Sequence, residues 1–237
     1  PGYDGNERTD MAAGTINENG ILTGNNPLKY SVYNVKPMIP YLEIKETYNF
    51  IKNGLGIRPF ILTRSVPIGS GKYTAHWLGD NYSNYESMRN SLSGIFQFNI
   101  FGIPMAGDDI CGFFGDSNEV LCARWYNLGV FYPFSRNHNF LDSIDQYPWS
   151  FEDQTIKRIK IAIDIRYSLL RYMYSRIFEA SLNEKVGFFN PVFFNFPNDP
   201  ESYQKMDEKA MIGEAFILFP VFTNDSSDFE VTFPLGK

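Results

Sequence analysis

Polar residues able to move protons stand just after four short apolar runs of this chain. Arg64 follows Phe60-Ile61-Leu62-Thr63, and Asp80 follows Ala75-His76-Trp77-Leu78-Gly79. Asp108 and Asp109 follow Ile103 to Gly107, and His138 follows the stretch that begins at Phe131. On one rim, with Trp77, these residues would offer carboxylates, a guanidinium, an imidazole and a flat ring. Such a set suits glycosidic cleavage, in which one carboxylic acid protonates the leaving oxygen and a second carboxylate works across the sugar. Each residue also has a plainer reading. Asp80 could sit at the start of a helix, Asp108-Asp109 could cap a turn, and His76 and His138 could be ordinary hydrogen-bonding histidines. Neither histidine has another His three to five residues on, so no zinc site is expected.

The surrounding pattern says what would hold such residues. Tyr41, Ile44, Tyr48 and Ile51 recur at helical spacing and Gly54 supplies a stop. Ile57 to Thr63 then reads as a buried strand, Tyr73 to Leu78 as a second, and Ile103 to Gly107 as a third. Ser83-Asn84-Tyr85-Glu86 has the form of a capping box before a helix carrying Met88, Leu92 and Ile95. Ser117 is expected to cap a helix with Leu121, Trp125 and Leu128, and Val130 to Phe134 to form a fourth strand. Ser150 and Asp153 open the longest helix, with a stripe of Ile156, Ile159, Ile163, Tyr167, Leu170, Tyr174 and Ile177.

Alternating short strands and amphipathic helices imply βα units around a parallel sheet. Neither G-x-G-x-x-G nor G-x-x-x-x-G-K-[ST] occurs, which disfavours nucleotide-binding versions and leaves a (β/α) barrel with chemistry in the loops after its strands. No cofactor is expected. From about Lys185 the pattern becomes strand-like at Phe188 to Phe196, Gly213 to Phe222, and the alternating Phe229, Val231 and Phe233.

Composition narrows the partners. A net charge of −6 without a basic run disfavours a nucleic-acid backbone or an anionic membrane surface. No apolar stretch reaches the roughly 18 residues that cross a bilayer. The 22 Phe, 15 Tyr and 3 Trp can pack a core and also stack on sugar faces. Cys111 and Cys122 are too far apart for a C-x-x-C motif, so they form either a small disulfide loop or two buried thiols.

Five blocks in order carry a resemblance: Arg58 to Ser65, His76 to Asn81, Gly107 to Phe113, Glu119 to Trp125, and Gly129 to Asn139. From about Tyr33 onward the chain resembles glycoside hydrolase family 31, in the maltase, sucrase-isomaltase and lysosomal acid α-glucosidase branch. The resemblance implies the C-terminal half of a (β/α)8 TIM-type barrel followed by the start of an antiparallel β-sandwich domain. Residues 1–35 would be a loop region of the barrel, 36–184 its second half, and 185–237 the beginning of the β domain.

By that resemblance Asp80 is the general acid/base, a role that partial burial would favour. Arg64 and His138 hold glucosyl hydroxyls, Trp77 and Phe113 form an aromatic wall, Asp109 is an ordering carboxylate, and Cys111 and Cys122 form a disulfide. Asp108 departs from the branch, which usually has Ala there. The family nucleophile sits in a W-x-D-M-N-E block, which Asp4-Gly5-Asn6-Glu7 matches only superficially, so it is expected upstream of Pro1. The chain then reads as an inactive fragment of a retaining exo-α-glucosidase acting on terminal α-1,4-linked glucose of maltose- or glycogen-like chains. The rest of the parent would complete the barrel. The alternatives are a non-catalytic carbohydrate-binding relative, or an α-xylosidase or transglycosidase of the same family. A lysosomal, secreted or other endomembrane setting follows from the cysteines and from the sequon Asn224-Asp225-Ser226. A second sequon, Asn81-Tyr82-Ser83, lies beside Asp80, which argues against its use.

Overall fold

The computed structural model describes residues 20–23, 29–182, 187–225 and 228–235. Two compact units divide the chain, one of residues 1–59 with 65–73 and the other of residues 60–64 with 74–237.

In the first unit, inside the stretch read as a loop, β1 (Ile21–Thr23) pairs antiparallel with β2 (Lys29–Ser31), with Leu22 opposite Tyr30. A short α1 (Val32–Val35) leads through a 3₁₀ turn into α2 (Ile39–Asn49), whose first turn accepts a proline because that N–H has no helical partner. The helix widens into a π turn over Phe50–Gly54. Ile44 is buried, and the rings of Tyr41 and Tyr48 meet Tyr73 edge-on at 6.0 and 5.3 Å.

The second unit carries the parallel strands. β3 (Leu62–Thr63), β4 (Ala75–Trp77) and β5 (Ala106–Gly107) form one sheet, and β6 (Asp109–Ile110) pairs parallel with β7 (Arg136–Asn137). Only Asp108 separates β5 from β6, and the Phe134 amide donates to the Ala106 carbonyl at 3.1 Å. The strands therefore lie side by side in chain order, with their C-terminal ends on the same side. α3 (Tyr85–Ile100) joins β4 to β5, α4 (Glu119–Gly129) joins β6 to β7, and α5 (Asp153–Ser181) follows. Met88, Leu92 and Ile95 of α3, Leu121 and Trp125 of α4, and Ile159 of α5 are all buried in one core. In its middle the Tyr132 hydroxyl accepts from Trp125 Nε1 at 3.2 Å and lies 2.5 Å from Ser91 Oγ. Beyond α5, β8 (Phe189–Asn190), β9 (Ala210–Ile212) and β10 (Phe216–Leu218) form an antiparallel sheet in the order β10-β9-β8.

Several local expectations shift. The cap of α3 is Asn84, whose side chain accepts from the Ser87 amide, while Ser83 donates to the Gly115 carbonyl. Asn118 rather than Ser117 caps α4, and Glu152 rather than Ser150 precedes α5. Val130 to Phe134 is a turn, because the Arg166 guanidinium takes the carbonyls of Val130, Tyr132 and Pro133 and Pro133 has no N–H to give. The α5 stripe also splits. Each i+4 step overshoots a full turn by about 40°, so Ile159 and Met173 are buried while Tyr167 and Tyr174 are exposed. Phe229, Val231 and Phe233 make no ladder among the described residues.

Gly107 marks the tightest approach. A Cβ there would fall inside contact distance of the Phe134 carbonyl oxygen and 2.7 Å from its carbon, both rigid backbone. Gly107→Ala is expected to cost on the order of 3 kcal/mol, read as a lower urea midpoint at unchanged slope.

Candidate active site

Because the strands are parallel, residues following β3, β4, β6 and β7 emerge at one end of the second unit. Arg64 leaves β3 and Asp80 leaves β4 two residues after Leu78, and both are exposed. Gly79 makes the turn between them at φ +97, which a residue with a Cβ rarely adopts. The Arg64 stem crosses it, with Nε 3.4 Å from where a Cβ would lie.

Asp109 is completely buried on β6. Arg136, its register partner on β7, donates from Nε to Asp109 Oδ1 at 3.1 Å, and a second guanidinium N–H reaches the same oxygen. The guanidinium also lies 5.3 Å from the Trp77 ring and 5.5 Å from the Phe134 ring. Burial raises the Asp109 pKa above the usual carboxylate range. Arg136 and His138 pull it back and the charge of Asp80 adds to the rise. Asp109 therefore feels the charges of both Asp80 and His138. Asp109 Oδ2 and Trp77 Nε1 are both buried and have no hydrogen-bond partner among the described residues.

His138 is exposed, and its ring lies 5.0 Å from that of Phe113. Phe114 and Phe140 pack onto Phe113. Asn81 ties these loops together. Its side chain donates to the Asp109 carbonyl at 2.9 Å and accepts from the Phe113 amide at 2.8 Å, while its own carbonyl accepts from Phe114 N. With both ends of the amide engaged, Asn81 is a poor glycan acceptor in the folded chain.

His76 takes the plainer of its readings. It is buried, Nδ1 lies 3.1 Å from the Thr63 carbonyl, and burial lowers its pKa to about 4, so the ring is neutral at ordinary pH.

Cys111 and Cys122 form a disulfide, which joins the start of the Phe113 loop to α4. A loop of this size contributes roughly 2–3 kcal/mol. Asn137 donates to the Tyr126 hydroxyl at 3.0 Å and the Gln146 carbonyl at 2.7 Å. Gln146 Nε2 lies within 3.3 Å of acceptors on Ile110, Gly112, Asn137 and His138. Arg136, Asn81 and Gln146 are the residues that sequence reasoning passed over. Arg136 alone carried a signal, as a charge one strand away from an apolar-flanked carboxylate. Among the described residues no group of three His, Cys, Asp or Glu could hold a metal ion, and no helix is long and apolar enough to cross a membrane.

Parallel strands joined by helices, with polar residues gathered at their C-terminal ends, are the arrangement of a (β/α)-barrel domain. The family model described as "Glycosyl hydrolases family 31 TIM-barrel domain" matches residues 3–176. An uncharacterised family 31 glucosidase of Schizosaccharomyces pombe is 39% identical over 231 residues, covering 95% of this chain and 23% of that protein. Lysosomal alpha-glucosidase of Bos taurus is 35% identical over 227 residues, covering 95% of this chain and 24% of that one. Among solved structures, the Tris-bound glucosidase II alpha subunit superposes with a TM-score of 0.80 at 29% identity, covering 86% of this chain and 22% of that one. The chain belongs to glycosyl hydrolase family 31. It spans about a quarter of the length of the curated relatives it matches.

Removing Arg136 while keeping Asp109 would strand a buried charge. Arg136→Met is expected to destabilise by about 3 kcal/mol at neutral pH, and by less at acid pH, once the carboxyl is protonated. Asp109→Asn in the same background should restore most of the loss. Urea denaturation of the two variants at both pH values checks this.

Proposed function

We propose that this chain is the acid/base-bearing part of a retaining exo-α-glucosidase that releases terminal α-1,4-linked glucose from maltose- or glycogen-like oligosaccharides. One observation carries the reading: Asp80 stands exposed just after β4, beside Arg64, and its charge reaches the buried Asp109, which also feels His138.

In this reading Asp80 gives its proton to the glycosidic oxygen as the bond from the sugar's anomeric carbon breaks. A second carboxylate takes that carbon as a glycosyl ester. Asp80 then removes a proton from the water that displaces the ester, and glucose leaves with its configuration retained. Arg64 and His138 hold glucosyl hydroxyls, while Trp77 and Phe113 wall the sugar's apolar face.

Asp109 is a poor candidate for the second carboxylate, being buried and held by Arg136. Asp4 lies outside the described residues, and we assign the nucleophile to a part of the intact protein outside this chain. The remainder of that protein would also supply the partial burial expected around Asp80, which the described residues leave exposed. On the same reading 36–184 is barrel, 185–237 opens the β domain, and the disulfide suits an oxidising endomembrane or secreted setting.

In the intact protein Asp80→Asn is expected to lower kcat on maltose by about 10²-fold or more. Turnover equal to the native enzyme's would end the assignment. The chain expressed alone should release no glucose from maltose, and measurable release from purified chain would contradict the assigned location of the nucleophile.

A further inference from the structure

The sequon Asn224-Asp225-Ser226 has no part in the chemistry above. The other sequon of the chain begins at Asn81, and the structure treats the two asparagines in opposite ways. The Asn81 nitrogen is spent on the Asp109 carbonyl. Asn224 is exposed in irregular chain after β10, and its Nδ2 has no partner among the described residues.

Asn224 is held instead by its two oxygens. The hydroxyl of Tyr85, the first residue of α3, donates to Asn224 Oδ1 at 2.8 Å. Arg124 of α4 donates from Nη2 to the Asn224 backbone carbonyl at 3.3 Å. Two residues earlier, the Phe222 ring lies 5.3 Å from the guanidinium of Arg89, which stands one turn along α3 from Tyr85. The segment is thereby fastened to two helices by groups other than the side-chain nitrogen. Oxygen and nitrogen diverge from the same carbon of a carboxamide, so seating the oxygen on Tyr85 aims the nitrogen elsewhere.

We propose that Asn224 is a site of N-linked glycosylation, with a lipid-pyrophosphate-linked glycan as the donor. This rests on the endomembrane or secreted setting proposed above. In the transfer Nδ2 bonds to the anomeric carbon of the donor, and the bond from that carbon to the pyrophosphate oxygen breaks. The lipid pyrophosphate leaves with the electron pair, and one of the two amide protons is lost to solvent. The second proton stays, and Oδ1 keeps Tyr85. A glycan here displaces no contact among the described residues, which is what an acceptor on a folded surface requires.

The test directs the intact protein into the secretory pathway of a eukaryotic cell. Peptides are mapped after enzymatic release of the glycans, which turns an occupied Asn224 into a mass-tagged Asp. Occupancy is expected at Asn224. Ser226→Thr should keep it and Ser226→Ala should abolish it, because the hydroxyl two residues on makes the asparagine an acceptor. The Cys111–Cys122 bridge, read in the same digest, marks passage through an oxidising compartment. Protein that carries the bridge and a bare Asn224 overturns the proposal, as does occupancy that survives Ser226→Ala. Tyr85→Phe should also lower the thermal midpoint by the same amount in the Ser226→Thr and Ser226→Ala proteins. A drop confined to the bare protein would mean that the glycan had displaced the tie, and would overturn the stated geometry. Where the native protein resides in its own cells judges the setting and occupancy judges the site, so the two fail separately.

Discussion

A fully buried carboxylate must be answered by a positive charge, and in this chain Arg136 answers Asp109. The pair spans two adjacent parallel strands at matching register positions, so the requirement for neutralisation is also a requirement on strand alignment. A slip of one residue would turn the guanidinium to the opposite face and leave the anion uncompensated. The same guanidinium lies over Trp77 on the next strand but one, which brings β4 into the arrangement. One ion pair thereby fixes the mutual positions of the strands whose ends carry Asp80 and His138.

Above that pair, the exposed residues stand on loops made rigid from beneath. Asn81 binds the Asp80 loop to the Phe113 loop, Gln146 gathers the carbonyls of Ile110, Gly112 and His138, and the disulfide anchors the Phe113 loop to α4. None of these supports needs to touch a sugar. On the proposed function, they would hold the groups that do so within the small tolerance that acid/base chemistry and hydroxyl recognition demand. Membership of family 31 accords with this division of labour, since barrel enzymes vary the loops after their strands while the strands keep packing.

The sequence disclosed what depends on neighbours in the chain. Strand ends near Arg64 and Asp80 were legible because short apolar runs stop where polar residues begin, and α3 and α4 because Met88, Leu92, Leu121 and Trp125 keep helical spacing, whereas Asp109, expected at a strand's end, lies buried at the start of β6. Precision was lost where two adjacent residues could each do the same job, as with Ser83 or Asn84 and Ser117 or Asn118. It was lost again where a distant side chain decided the outcome. Arg166, far along α5, takes the carbonyls that a strand at Val130 to Phe134 would have needed. The stripe of α5 splits because its consecutive i+4 steps from Ile159 through Ile163 to Tyr167 wind away from the core. Asn81 and Gln146 gave no local hint, since their importance lies in partners roughly thirty positions away.

The double engagement of Asn81 bears on biosynthesis. Asn81-Tyr82-Ser83 is chemically a glycan acceptor, and the nitrogen that would carry the oligosaccharide is the one that donates to the Asp109 carbonyl. A sugar tree added there would take one of that nitrogen's two hydrogens and lie where the amides of Phe113 and Phe114 approach Asn81. In any compartment with an oligosaccharyltransferase, a molecule can mature only if this segment folds before the transferase reaches it. The tripeptide thus sets a race between folding and modification, with Asn81 as the finishing line.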